Sequence, residues 1–207
     1  MKKSFVLVGA ILLSVSMAVA ADAPKSEVFL GYNYVRFNPN SDFVPSFNAN
    51  GGGGQFVYNV NQWIGGVFDL GAVHNGSLFG SAGDTTVVNF VAGPRATFHN
   101  DSRFTPFIQA LFGGAYSTTS ARVSILPVAP DLPVTARLTA SHTGFAMLAG
   151  GGLDIKINKH MSFRPIGVDY YLTRIPTLLQ SIQPQNDSTN RNNFRYSAGI
   201  NFLLGAQ

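Results

Sequence analysis

The chain has 207 residues and no cysteine, with 14 basic against 10 acidic side chains and only 12% charged residues in all. That length suits a single domain. The missing thiols exclude disulfides and cysteine-based metal sites, and the absence of any Lys/Arg cluster excludes a nucleic-acid footprint.

Residues 1–20 read as a cleaved secretory signal. Lys2 and Lys3 form a basic start, Phe5 to Val15 an apolar stretch, and Ala18-Val19-Ala20 an A-x-A cleavage site. The stretch is too short to span a membrane comfortably. The mature domain then covers 21–207 and carries 12 basic residues (14 − 2) against 10 acidic ones, so the basicity of the whole chain overstates its own.

Later in the chain no apolar run reaches 18 residues, which rules out helical spans. Period-two segments recur instead, and they predict strands at 27–37, 52–59, 63–74, 85–98, 104–117, 142–157, 162–174 and 193–204. In the first, Leu30, Tyr32 and Tyr34 alternate with Gly31 and Asn33. Phe56 and Tyr58 alternate with Gln55 and Asn59 in the second, and Ile64, Phe68 and Leu70 with Asp69 and Gly71 in the third. The fourth sets Phe90, Ala92 and Phe98 against Asn89 and Arg95. The fifth sets Ile108, Ala110 and Phe112 against Gln109 and Gly113. In the sixth, Phe145, Met147, Leu153, Ile155 and Ile157 alternate with Gly150, Gly152, Asp154 and Lys156. The last opposes Phe194, Tyr196, Ala198, Ile200, Phe202 and Leu204 to Arg195, Ser197, Gly199 and Asn201.

The seventh segment breaks this parity. With Arg164 on the polar face, Asp169 falls on the apolar one. Either Asp169 lies near the headgroups, or a bulge after Pro165 flips the register; the bulge is the expectation.

One face is therefore aromatic and apolar, and the other is polar or small. A soluble secreted barrel of the lipocalin kind would need an exterior rich in Lys and Glu, and the polar face here is too poor in charge for that. It suits a narrow interior, while the apolar face suits lipid. The fold expected is an all-β, eight-stranded antiparallel up-and-down transmembrane β-barrel in the outer membrane. Connections near 38–51, 75–84, 118–141 and 175–192 are long, and those near 60–62, 99–103 and 158–161 are short. Starting from a periplasmic N-terminus, that order gives four outer loops and three inner turns. The run Asn50-Gly51-Gly52-Gly53-Gly54 is expected to end the first loop and enter a close-packed or bulged strand. A phosphate loop would need a helix after it, which is missing. Trp63, Tyr58 and Phe104 next to the inner turns suit an aromatic girdle.

Four stretches carry a family resemblance: Val28 to Tyr34, Gly93-Pro94-Arg95, Thr105-Pro106-Phe107 and Arg195 to Phe202. Through them the chain resembles the small outer-membrane barrels of the OmpA/OmpX type, proteins with an outer membrane protein β-barrel domain. The resemblance implies contact with outer-membrane lipid and with the barrel insertion machinery, which reads an aromatic at the end of the last strand. Here Phe202 is followed by five more residues, so that signal is displaced.

The candidate site is an interior ionic set: Asp69, Arg95, Gln109, Asp154, Lys156, Arg164 and Arg195. Confined charges must be paired or hydrogen-bonded, so a structural network filling the lumen is one reading. A gated narrow pore with mild anion preference is the other. An enzyme is not expected: His160-Met161-Ser162 has a His-x-Ser spacing but sits at an inner turn, and the single glutamate, Glu27, is on another strand. No metal or cofactor is expected either, since His74 and His142 near the outer rim lack a third ligand. The proline-rich stretch Ile125 to Val134 is either a stiff surface hairpin or a contact for an extracellular partner. The function expected is a structural or surface-interaction role through the outer loops.

Overall fold

The computed structural model describes residues 24–39, 46–78, 83–100, 102–125, 134–174 and 190–205. The expected signal, 1–20, lies outside them. Eight strands follow in order: β1 Ser26–Phe37, β2 Phe47–Asn59, β3 Ile64–Leu78, β4 Gly83–Thr97, β5 Phe104–Ile125, β6 Val134–Asn158, β7 Met161–Arg174 and β8 Asn190–Leu204. Each pairs antiparallel with the next, and β8 pairs with β1, so the sheet closes into an up-and-down barrel. Closure leaves the sheet no unpaired edge inside a bilayer, where no water can substitute.

The register fixes the width. Cross-strand partners from Val28 run through Phe56, Phe68, Ala92, Phe112, Met147, Leu172 and Asn192. The backbone oxygen of Asn192 then accepts from the Asn38 side chain, ten residues (38 − 28) above the start. Eight strands staggered by ten residues tilt by about 40° and leave an interior that side chains can fill.

The two faces are inverted relative to a soluble protein. Leu30 and Ile108 are each 57% exposed, while Arg95 is 2% and Arg164 0% exposed. Among the described strand residues, the outward-pointing charges are Arg36, Asp84, Arg122, Arg137 and Arg174, all at the ends beside the outer loops.

Three expectations are corrected or resolved. First, β2 starts at Phe47, so the glycine run lies inside a strand that pairs without a bulge on both sides. Glycine is required there by close approach: a Cβ on Gly51 would collide with the Ala72 carbonyl oxygen. Second, the expected loop 118–141 is mostly strand, because β5 and β6 stay paired up to Ile125↔Val134; the proline-rich residues 126–133 lie outside the described residues. Third, β7 is bulged after Pro165. Arg164 faces Gly199 and Gly167 faces Ser197, so two residues of β7 stand where β8 has one. The extra residue turns both Arg164 and Asp169 inward.

Candidate functional site

The lumen is layered. Its middle is a circuit of hydrogen-bonded side chains contributed by seven strands. Gln55 on β2 accepts from Arg95 and, at 2.8 Å, from Arg164 Nη1, and its Nε2 donates to Asp69 at 2.8 Å. Arg195 binds Asp69 at 2.9 Å and Asp169 at 2.8 Å. Gln109 donates to Asp169 at 3.0 Å and accepts from Arg95 at 2.7 Å. Gln55, Asp69, Arg195, Asp169, Gln109 and Arg95 thereby close a ring. Arg164 hangs from Gln55 and holds Asp154 through two bonds of 2.7 and 3.0 Å. Asn89 adds a 2.6 Å donor to Asp69.

Three guanidiniums meet three carboxylates, so the network is neutral, and each charge has the partners that burial demands. Aromatic faces complete the shell. Arg95 lies 4.2 Å over the Phe107 ring, and Arg164 lies 4.2 Å over both Phe29 and Phe107. Phe29 brings in β1, so all eight strands touch the cluster.

Six of the seven candidate residues therefore meet: Asp69, Arg95, Gln109, Asp154, Arg164 and Arg195. Lys156 does not join them. It lies two residues nearer the inner turn than Asp154, partly exposed, with its ammonium 3.4 Å from the Asn100 carbonyl. Sequence reasoning missed Gln55 as the hub, although it stood on the polar face. It placed Asp169 only as a parity conflict.

Toward the outer loops on the same strands, the lumen becomes apolar. Val35, Val73, Val87, Val91, Leu111, Leu148 and Tyr171 are all buried in one cluster. Phe37 stacks on Phe47 above them, with ring centroids 5.1 Å apart. The inward face is thus not polar or small throughout, as the alternation suggested. Toward the inner mouth, buried Glu27 accepts from Asn59 at 2.8 Å and Asn201 at 2.7 Å. A cavity of about 20 Å³ adjoins it, and the hydroxyls of Thr97, Thr105 and Ser162 there have no partner. That volume suits one water molecule.

The other chemical candidates do not assemble. His160 is exposed in the β6–β7 turn, whereas Ser162 is buried in the lumen, and no hydrogen bond joins them among the described residues. His74 bonds Thr86 Oγ1 at 3.0 Å. Among the described residues no group of three His, Cys, Asp or Glu side chains is placed to hold a metal ion.

Comparison with known proteins agrees with this architecture. The family model for the outer membrane protein beta-barrel domain matches residues 5–202. Two solved structures share the fold. One is Ail, the attachment invasion locus protein of Yersinia pestis, at 17% identity and a TM-score of 0.57, covering 87% of this chain and 99% of that one. The other is Neisserial surface protein A, at 13% identity and a TM-score of 0.57, covering 87% and 97%. A structure of Ail with the heparin analogue sucrose octasulfate also matches, at a TM-score of 0.53, 17% identity, and coverage of 87% and 99%. Among curated proteins no sequence matches. The chain belongs to the outer membrane protein β-barrel family, and its place is the outer membrane.

Proposed function

We propose that this barrel does not conduct and works at the cell surface, through the hairpin that β5 and β6 raise above the membrane. The observation that carries this reading is the filled lumen: a ring of six bonded side chains, with a buried apolar layer stacked on its outer side. An eight-stranded barrel has room for its own side chains and little else.

The hairpin supplies the contact surface. Its outward face carries Thr118 bonded to Ser141 at 3.1 Å, a buried Ser120 bonded to the exposed Thr139 at 3.0 Å, and Arg122 directly opposite Arg137. Arg137 also bridges Asp84 at 2.9 Å. Two like charges opposed across a strand pair repel each other, and an anionic ligand between them relieves that. A sulfated oligosaccharide is the first probe to try, being the class bound by the Yersinia relative. A role in enzymatic lipid modification is disfavoured by the separation of His160 from Ser162.

Planar-bilayer recording tests the first half. No unitary current is expected, and a steady conductance would return the pore reading to the front. For the second half, residues 120–139 are replaced by Asn-Gly, a turn that keeps the Thr119↔Ala140 pair in register. The shortened barrel is expected to fold and to lose retention on a heparin column.

A further inference from the structure

The ring at the level of Gln55 is neutral, three arginines against three aspartates, and one buried carboxylate lies outside that balance. Glu27, on β1 toward the inner mouth, is 4% exposed and accepts from the side-chain amides of Asn59 and Asn201. Among the described residues no ion pair reaches it. Amide dipoles ease the desolvation of a carboxylate without cancelling its charge.

The cavity of about 20 Å³ beside Glu27 is where that charge can be met. Four oxygens on its lining residues have no hydrogen-bond partner among the described residues: Thr97 Oγ1, Thr105 Oγ1, Ser162 Oγ and Asn201 Oδ1. None of these four residues is more than 6% exposed. The Asn201 oxygen has a fixed role. Its amide nitrogen donates to Glu27 at 2.7 Å, so the oxygen turns away and can only accept. Asp154 also lines the cavity, but both its oxygens are on Arg164, and His99 turns Nδ1 to the Gln62 carbonyl. Lys156 completes the lining, with its ammonium 3.4 Å from the Asn100 carbonyl.

We propose that Glu27, Asn201 and the three hydroxyls hold one alkali-metal cation at the inner mouth. A water molecule would satisfy the oxygens and leave the charge of the carboxylate unmet; a cation answers both. Oxygen-only donors select a hard ion over a transition metal. The ammonium of Lys156 sets the charge of that ion at one, because a divalent ion would meet stronger repulsion in a poorly screened lumen. The volume admits an ion no larger than a water molecule. Held there, the ion ties β4, β5 and β7 to the seam between β8 and β1 that closes the barrel.

The urea midpoint of the barrel in phosphatidylcholine vesicles, read in sodium chloride and in choline chloride at one ionic strength, tests this. Each tenfold rise in sodium should raise the folded-to-unfolded ratio by up to about tenfold, because the ion binds the folded state alone. Glu27→Gln removes the charge at nearly constant shape, and Ser162→Val replaces a hydroxyl with methyls that fill the cavity. Each should flatten the sodium response while keeping the gel-mobility shift between unboiled and boiled samples that marks a folded barrel. A wild-type midpoint that is the same in sodium and in choline overturns the proposal and leaves the cavity to water. So does a sodium response retained in full by either variant that folds, or a larger stabilisation by calcium at equal concentration. Should both variants lose the gel shift, Lys156→Met decides. Without the neighbouring ammonium the barrel should respond at lower sodium, and an unchanged response overturns the assignment.

Discussion

At the level of Gln55 the lumen is crossed by three arginines and three aspartates, while a few residues further out the same strands fill it with Val35, Val73, Leu111 and Leu148. The ionic layer holds groups that are costly to desolvate and repay that cost only in one geometry. Its contribution is therefore to specify register: a strand slipped by one residue would strand a charge in lipid. The apolar layer tolerates small shifts and contributes cohesion in proportion to area. Both fill the barrel, but they fail differently when a side chain is removed.

Arg195→Ala should produce the largest loss. It leaves Asp69 and Asp169 buried without their guanidinium, at a cost of about 3–5 kcal/mol, read as a fall in the urea midpoint in lipid vesicles. A loss below that of any valine truncation would show the ionic layer to be dispensable. Val91→Ala, which trims the apolar layer, should cost about 1–2 kcal/mol in the same assay. The sharpest comparison is Arg164→Met combined with Asp154→Leu. Removing both partners of one bridge should shift stability by less than about 1 kcal/mol, whereas Arg164→Met alone should cost roughly 3 kcal/mol. If the double variant costs as much as the single one, the pair is worth more than an apolar substitute and the distinction between the layers weakens. Ser162→Ala deletes a hydroxyl that has no partner in the lumen. It should change stability by less than about 0.5 kcal/mol, in either direction.

Much of this architecture was legible because a bilayer permits few alternatives. The period-two pattern of Leu30, Tyr32 and Tyr34 against Gly31 and Asn33 gives a strand, and its greasy face gives the side that meets lipid. Even the bulge at Pro165 was visible, as a conflict of parity between Arg164 and Asp169. Beyond the apolar band the pattern fades, since Thr118, Thr119 and Ser120 on one strand and Thr139, Ala140 and Ser141 on the other offer no greasy face. The tall hairpin therefore read as a loop. The second strand reads as beginning at Gly52, five residues after its true start at Phe47, for a local reason: glycine has poor strand propensity, which close packing of Gly51 against β3 overrides.

Sequence alone determined that the chain forms a closed barrel with its mid-strand charges inside, because both follow from period two and from the cost of an unpaired polar group in hydrocarbon. Which charges would meet was decided only by closure. The ten-residue stagger lifts Asp169 and Arg195 to the level of Asp69 and leaves Lys156 at the inner mouth beside Asn100. Parity places a side chain inside or outside, but its height in the lumen depends on the pairing of all eight strands at once.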